Sequence, residues 1–162
     1  MPVDPAFVGK PFPYPMSYIV GVEKIRNFAE AIGDDNPVYR DDELARSYGL
    51  AGVTAPLTLI CETNQYAGLP IDADGYAGHS WGIEIPGTRR VRGGNTYTFE
   101  RRIRPEDVVT ATWEITGLSE KTTRTGADML VITSRATYTD QDGQLLATNV
   151  EQDIFVSLEE HP

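Results

Sequence analysis

The chain has 162 residues, of which 40% are hydrophobic and 23% are charged, and it carries a formal net charge of −10 at pH 7. This length and composition predict one globular domain over residues 1–162, while the acidic charge argues against nucleic-acid binding, which needs basic groups to neutralise phosphates. The sequence has no run of 18 apolar residues and no basic-then-apolar N-terminal segment, so we expect a cytoplasmic protein without membrane insertion.

The first part of the chain predicts an arm, a strand and a helix. Prolines dominate residues 1–15, and because each proline fixes φ and removes a donor, we expect an extended arm along the domain surface. Residues 17–20 are typical of a short strand. From Val22 the apolar residues follow the period of an amphipathic helix, and Gly33 supplies a left-handed helix stop. The apolar stripe consists of Ile25, Phe28, Ala29 and Ile32.

A polar turn over residues 33–41 follows this helix, and it brings carboxylates, an amide and a phenol next to a proline. Polar loops beside buried helices are frequent positions for functional sites. After the turn, Asp41 or Asp42 is predicted to cap a short helix that ends before Gly49.

A third helix is predicted with Thr54 as its cap and Pro56 at its first position, extending to Ala67. Its apolar side chains point in several directions, so we expect the helix to be surrounded by the rest of the chain. The single cysteine, Cys61, cannot form an internal disulfide, and its apolar neighbours indicate a packed thiol.

The second half of the chain predicts an antiparallel sheet, because apolar and polar residues alternate and β-branched residues are frequent. The predicted strands are Trp81–Ile85, Arg89–Arg92, Thr96–Ile103, Val108–Leu118, Met129–Thr139 and Leu145–Phe155. Hairpin turns are predicted at residues 93–95 and 140–143, and residues 126–128 close a longer one. The sequence therefore predicts an α+β fold in which a curved antiparallel sheet wraps a long central helix.

An ordered set of segments, which covers nearly the whole chain, carries a family resemblance. The segments are Phe7–Lys10, Ile25–Tyr39, Tyr48–Leu50, Ala55–Thr58, Arg104–Val108 and Tyr138–Ala147. Through them the sequence resembles the MaoC-like dehydratases and hydratases of the hot-dog fold. It is most similar to their N-terminal-type half, which includes the substrate-binding subunits of mycobacterial (3R)-hydroxyacyl-carrier-protein dehydratases.

This resemblance implies a single hot-dog domain that binds an acyl thioester of coenzyme A or of an acyl-carrier protein. It also implies that two hot-dog units pair side by side in one continuous sheet, as a heterodimer with a catalytic MaoC-like subunit or as a homodimer. No cofactor is implied, and the sequence predicts no metal site.

The catalytic loop of the family is similar to G-D-x-N-P-x-H, in which the Asp and the His share the proton transfers of reversible dehydration. The present chain has Asp34, Asn36 and Pro37 at the matching positions but Tyr39 in place of the His. Histidine both takes and gives a proton near neutrality, whereas a tyrosine with a pKa of about 10 only donates at pH 7. Asp34 and Tyr39 are the candidate catalytic residues, and a turn-capping carboxylate is the alternative role for Asp34.

A second departure lies at the start of the third helix. There the catalytic relatives have a turn similar to H-G, whose backbone N–H holds the thioester oxygen. Ala55 and Pro56 occupy these positions, and a proline has no N–H to donate. His79 is predicted to be a loop or packing histidine. His161 is the penultimate residue of the sequence. The candidate substrate-binding residues are Asn36, Pro56, Leu57, Ile60 and Trp81.

Positive charge is concentrated in one part of the chain, where six of the fourteen Lys and Arg residues fall between residues 89 and 104. They are Arg89, Arg90, Arg92, Arg101, Arg102 and Arg104. Arg89, Arg90 and Arg92 are predicted to dock a carrier or its phosphate through guanidinium contacts. The alternative is a solvated strand face paired with Glu100 and Glu106.

Three functions fit these observations. The first is a substrate-binding subunit that leaves most of the chemistry to a catalytic MaoC-like partner. The second is a self-sufficient homodimeric dehydratase of fatty-acid or secondary metabolism, with Asp34 as base and Tyr39 as acid. The third is a non-catalytic module that binds an acyl thioester or its carrier protein.

Overall fold

The computed structural model of the chain describes residues 3–13, 17–62 and 83–158. The strands are β1 (Pro11–Pro13), β2 (Tyr18–Ile19), β3 (Thr88–Phe99), β4 (Val108–Thr122), β5 (Asp128–Thr139) and β6 (Leu145–Ser157). The helices are α1 (Val22–Ala31) and α2 (Asp42–Ser47), with 3-10 helices at Pro5–Phe7, Pro37–Tyr39 and Leu57–Glu62. One antiparallel sheet runs in the order β1-β4-β5-β6-β3, and β2 pairs with β4 beside it.

The long strands form where side chains alternate between the core and the opposite face. In β4 the buried residues are Val109, Ala111, Trp113 and Ile115, which share one face because successive side chains in a strand point to opposite sides. The predicted hairpins at residues 126–128 and 140–143 are confirmed, with Gly126 at φ 91° and Gly143 at φ 77°. The predicted α+β layout with an antiparallel sheet is thus present.

The predicted hairpin at residues 93–95 is wrong, because β3 runs through it as one strand along β6. Gly93 and Gly94 lack the positive φ of a tight turn and instead lie at a register shift between Arg92 and Gly94. A Cβ at Gly93 would stand 3.0 Å from Cβ of Gln152. The glycine pair therefore permits a close strand contact and does not reverse the chain. The strand also ends at Phe99 and not at Ile103.

Two further predicted elements differ in the structure. Residues 83–85 are not in a strand, and the preceding Trp81 lies outside the described residues. The N-terminal arm is extended only in part. Residues 5–7 form a 3-10 turn, since Asp4 accepts a hydrogen bond from the Ala6 N–H at 2.9 Å. Residues 11–13 form the edge strand β1, a position that tolerates prolines because no ladder donor is needed there.

The first two helices are confirmed with their predicted ends. Gly33 at φ 68° follows α1, while Asp41 caps α2 by accepting from the Leu44 N–H at 2.9 Å. The third helix differs, because its described part, Leu57–Glu62, is 3-10 and the remainder to Ala67 lies outside the described residues. Thr54 does not cap it, since its buried hydroxyl has no hydrogen-bond partner among the described residues. Within the described ranges, no helix has the length and apolar character that crossing a membrane requires.

Two hydrophobic clusters pack on the buried face of the sheet. The larger one contains Val38 and Tyr39 of the polar turn together with Trp113 and Tyr138 of the sheet. The smaller one consists of Ile83, Ile115, Leu130, Ile132 and Phe155. Between them β6 buries three polar side chains, Asn149, Glu151 and Asp153. The polar turn that carries the candidate site therefore rests on the larger cluster.

Candidate functional site

Three chain segments meet at the candidate site: the polar turn, the start of the third helix, and the residues after β3. The Thr54 N–H donates to the Val38 carbonyl at 3.3 Å, which joins the first two segments. The Ala55 N–H donates to the Ile103 carbonyl at 2.8 Å, which adds the third. Both positions at which the sequence departs from the family pattern, Tyr39 and Pro56, therefore lie in one region of the molecule.

Asp34 is held in place by the chain around it. Its N–H closes the end of α1 by donating to the Ala29 carbonyl at 2.9 Å. Its Oδ1 accepts from the Asn36 N–H at 3.2 Å, and its Oδ2 accepts from the Tyr39 hydroxyl at 3.0 Å. Both carboxylate oxygens thus accept a hydrogen bond within the turn. The bond from the Asn36 N–H forms an Asx turn, and the bond from Tyr39 comes from a side chain five residues later.

Tyr39 is 5% exposed and packs in the larger cluster. Its burial raises the pKa of the phenol, and so do the hydrogen bond to Asp34 and the negative charge of that residue. The guanidinium of Arg102 opposes this shift, but the pKa of Tyr39 stays above its usual value. At neutral pH Tyr39 is therefore a fixed proton donor to Asp34, and it cannot take up a proton as a histidine would.

Asn36 is predicted to bind substrate, but its side chain makes a hydrogen bond within the polar turn. Its Oδ1 accepts from the Val38 N–H at 3.2 Å, which caps the 3-10 helix Pro37–Tyr39. The residue is exposed, so its amide group retains donor capacity on the outside of the turn. The structure accounts for Asn36 as a cap, and substrate contact by this residue stays a prediction.

The start of the third helix offers no backbone donor at the three residues 54–56. The N–H groups of Thr54 and Ala55 already donate to Val38 and Ile103, and Pro56 has none. An oxygen-binding site for a thioester needs N–H groups that are free and point at the developing charge. Residues 54–56 cannot provide such a donor.

The remaining candidate substrate-binding residues differ in burial. Ile60 is 1% exposed and belongs to the larger cluster, and Pro56 is also buried. Leu57 is 37% exposed and faces outward, while Trp81 and His79 lie outside the described residues, as does His161. Asp34 and Tyr39 are therefore brought together by a hydrogen bond, whereas Ile60 packs in the larger cluster.

The predicted docking arginines lie elsewhere, on the half of β3 that is remote from the site. Arg90 donates to both oxygens of the buried Asp153, at 2.6 and 3.3 Å, and Arg92 lies 3.6 Å from the buried Glu151. These contacts compensate buried carboxylates, so both guanidinium groups have a structural role. The predicted partners Glu100 and Glu106 are not among the carboxylates that pair with this cluster in the described part of the chain.

A charge network that the sequence does not predict lies beside the site. Arg101 donates to both oxygens of Asp107 at 2.7 and 2.9 Å, and to Asp140 at 2.6 Å. Both carboxylates are buried, and these hydrogen bonds hold the pKa of Arg101 far above its usual range. The network ties the turn before β4 to the hairpin between β5 and β6. Its one local signal is the Arg-Pro-Glu-Asp turn, whose last residue is Asp107.

In the described ranges, no three His, Cys, Asp or Glu side chains form a group suited to a metal ion. The arrangement instead offers one oriented carboxylate, one phenol that donates to it, and a nearby guanidinium.

Comparison with known proteins places the chain among dehydratase sequences and folds. The family described as "FAS1-like, dehydratase domain region" matches residues 6–149. A UPF0336 protein of Streptomyces griseus is 33% identical over 160 residues, which are 99% of each chain. A probable enoyl-CoA hydratase alpha subunit of Thermomonospora curvata is 33% identical over 139 residues, which are 80% of this chain and 42% of that protein.

Among solved structures, the complex of C-terminally truncated HadBC, a 3R-hydroxyacyl-ACP dehydratase of Mycobacterium tuberculosis, has a similar fold. The TM-score is 0.66 at 26% sequence identity, over 91% of this chain and 96% of that chain. Together with the strand order, this similarity confirms the predicted hot-dog fold.

Proposed function

Because the chain belongs to the FAS1-like dehydratase domain family, with the fold of the MaoC-like hot-dog dehydratases, we propose that it is a substrate-binding subunit. Its substrate is a (3R)-hydroxyacyl or enoyl thioester of coenzyme A or of an acyl-carrier protein. A separate MaoC-like subunit, with an intact Asp and His, carries out most of the dehydration or hydration. The observation that carries the proposal is the 3.0 Å hydrogen bond from the Tyr39 hydroxyl to Asp34.

This hydrogen bond matters because the reaction needs a group that both removes and delivers protons. The α-proton must be taken, the departing hydroxyl must be protonated, and the thioester oxygen must be stabilised. Tyr39 is a donor with a raised pKa, and it directs its proton at the carboxylate that would have to act as base. The two candidate catalytic groups therefore satisfy each other and leave no proton shuttle near neutral pH.

The backbone at the start of the third helix supports the same proposal independently. Residues 54–56 have no free N–H for a thioester oxygen, since the N–H groups of Thr54 and Ala55 are bonded within the fold and Pro56 has no N–H. Two elements of a dehydratase site are thus missing, while the scaffold that holds them is retained. A partner subunit supplies both in the proposed complex.

The sheet offers a surface for that partner. Strand β3 is 12 residues long and forms one edge of the sheet, where β6 is its one neighbour among the described strands. An edge of this length presents unpaired N–H and C=O groups that can pair with a strand of another chain. Side-by-side pairing through β3 would extend the sheet across two subunits. The HadBC complex and the enoyl-CoA hydratase alpha subunit, whose names denote multi-subunit proteins, give this arrangement a precedent.

The proposal is tested by assaying the purified chain alone for hydration of crotonyl-coenzyme A and of longer enoyl thioesters. We expect no turnover above the uncatalysed rate, and we expect Asp34→Asn and Tyr39→Phe to leave that result unchanged. Turnover by the isolated chain that disappears in either variant would overturn the proposal. Circular dichroism of each variant checks that the loss does not come from unfolding.

The same hydrogen bond favours a second candidate, a self-sufficient homodimer in which Asp34 is the base and Tyr39 the acid. In this mechanism the pair is already oriented, and a substrate with a sufficiently acidic α-proton needs no histidine. A homodimer that hydrates such a substrate, with a rate that falls when Tyr39 is replaced by Phe, would support this function. The two proposals are separated by whether the chain turns over substrate without a partner.

A further inference from the structure

A cavity of about 420 Å³ opens between α1, α2 and the turn before β4. Its charged lining consists of four arginines and two carboxylates: Arg26, Arg40, Arg46, Arg104, Asp42 and Glu106. On a chain with a net charge of −10, a concave surface with more guanidinium than carboxylate groups is unusual. The cavity is distinct from the docking cluster predicted on β3.

Hydrogen bonds within the protein hold one side of the cavity. Asp42 accepts from Nε of Arg46 at 2.9 Å and from the Val53 N–H at 3.1 Å, and these hydrogen bonds, with that from Arg46 first, lower the pKa of Asp42. Glycine is favoured at position 52, because its φ of 148° disfavours other residues and a Cβ there would crowd Oδ1 of Asp42. Asp42 and Arg46 therefore belong to the framework of the cavity.

Two of the remaining arginines, Arg40 and Arg104, retain capacity for an anion. The backbone N–H of Arg104 donates to Asp107 at 2.7 Å, which fixes the chain, while its guanidinium has no ion pair among the described residues. Arg40 lies 3.8 Å from Asp35, whose side chain is 92% exposed. Ion pairs of such length and exposure contribute little to stability, so an incoming anion can replace this contact.

We propose that this arginine-lined cavity binds a phosphate group of the carrier that delivers the thioester, with Arg40 and Arg104 as its principal contacts. The inference rests on the proposed function, because coenzyme A and the prosthetic arm of acyl-carrier proteins both bear phosphate at a distance from the thioester sulfur. A guanidinium presents paired N–H donors that match phosphate oxygens.

The chain path supports this assignment. Arg40 directly follows Tyr39, and Arg104 directly follows Ile103, whose carbonyl accepts from Ala55 at the start of the third helix. The cavity therefore adjoins the candidate site through two of its three segments. When the phosphate is bound in the cavity, the arm of the carrier can extend toward the candidate site.

The experiment measures binding by isothermal titration calorimetry, with coenzyme A, pantetheine 4′-phosphate and phosphate-free pantetheine as probes. We expect the phosphate-bearing probes to bind more tightly than pantetheine. We expect Arg40→Gln and Arg104→Gln each to weaken their binding by about tenfold, and to leave pantetheine binding unchanged. Rising salt should reduce the affinity of the wild-type chain more than that of the variants.

Arg124→Gln is the matched control, because it removes one exposed arginine at the far end of β4. That strand has 15 residues and spans about 45 Å, so the control lies far from the cavity. Equal weakening by Arg124→Gln would indicate a general charge effect and would overturn the inference, as would wild-type affinity in the Arg40 and Arg104 variants.

The probes also identify the phosphate. Equal binding of both phosphate-bearing probes assigns the group that coenzyme A and carrier proteins share, whereas binding of coenzyme A alone assigns a phosphate of its nucleotide. If neither probe binds more tightly than pantetheine, the cavity is not a phosphate site. These outcomes do not depend on turnover, so a failure here is distinguishable from a failure of the proposed subunit role.

Discussion

The Tyr39 hydroxyl donates to Oδ2 of Asp34 at 3.0 Å, across five residues of one polar turn. In the family pattern these positions hold the two groups that move protons. Here they form a closed pair, because the phenol is buried, its pKa is raised, and the carboxylate also accepts from the Asn36 N–H. The pair stabilises the polar turn, which the family resemblance makes the candidate catalytic loop.

The first prediction concerns this pair. Tyr39→Phe removes a donor to a carboxylate, so we expect the free energy of unfolding at pH 7 to fall by about 1 kcal/mol. Because the pKa of Tyr39 is raised in the folded state, its stabilising contribution is complete below a pH of about 10 and is lost as the pH rises through the folded pKa. Urea unfolding of wild type and variant from pH 7 upward measures both effects. Parallel stability curves above pH 10 would contradict the prediction.

The second prediction concerns the charge network beside the site. Arg101→Gln leaves Asp107 and Asp140 buried without their guanidinium partner, and we expect a loss of about 3 kcal/mol in the free energy of unfolding. The matched control is Arg135→Gln, whose ion pair with Glu114 is exposed, and its expected loss is below about 1 kcal/mol. Equal losses in the two variants would refute the structural role of the network.

The same network predicts a pH dependence. Burial raises the pKa of Asp140, but hydrogen bonds from the Gln144 N–H, from Arg101 and from the Asp142 N–H lower it overall. This contribution to stability is present above the unfolded pKa of about 4 and is lost as the pH falls through the folded pKa. As the pH falls, the free energy of unfolding of wild type should therefore decrease more than that of Arg101→Gln. An identical acid profile for the two proteins would argue against it.

The third prediction concerns the two glycines of β3. Gly93→Ala places a Cβ 3.0 Å from Gln152 Cβ and from Ile154 Cδ1, so we expect a destabilisation of about 1 to 3 kcal/mol. Gly94→Ala meets no atom within 4 Å and serves as the control. Thermal unfolding of the two variants gives the comparison. If Gly94→Ala is the more destabilising change, the strand assignment of this segment is wrong.

The fourth prediction concerns Glu151, a buried carboxyl on β6, one oxygen of which has no hydrogen bond within the described part of the chain. Burial, the largest cause, raises its pKa despite the positive charges of Arg92 and Arg90. The neutral form is favoured in the fold, so its stabilising effect is complete below the unfolded pKa and is lost as the pH rises through the folded pKa. We therefore expect Glu151→Gln to be more stable than wild type at pH 7, with a gap that closes toward pH 4. Urea unfolding of both proteins between pH 4 and pH 7 measures this gap, and equal stabilities at pH 7 would contradict the prediction.

The sequence predicts those parts of the fold that depend on local patterns. The alternation around Val109 and Trp113 locates β4, and the glycines after α1 and α2 mark the helix ends, because these signals act within a few residues. The paired glycines of β3 mislead for a physical reason. Glycine serves both a tight turn and a close strand contact, and only the neighbouring Gln152 decides between them.

The candidate site is predictable in its residue types but not in its contacts. The family resemblance identifies Asp34 and Tyr39, whereas their hydrogen bond and the engaged N–H of Ala55 appear only in the folded chain. The contact of Arg101 with Asp140 spans 39 residues. A pattern of charges along the sequence cannot select that partner from the other carboxylates, which explains why the cluster was predicted to pair elsewhere.

The central claim is that this chain binds substrate while a partner performs the proton transfers. Its most direct test co-expresses the chain with a MaoC-like subunit that has an intact G-D-x-N-P-x-H loop, and compares hydration of enoyl thioesters by two variant complexes. We predict that Asp→Asn in the loop of the partner abolishes turnover, and that Asp34→Asn in this chain leaves kcat near that of the unmodified complex. The reverse result, with turnover lost in Asp34→Asn and retained in the partner variant, would contradict the claim.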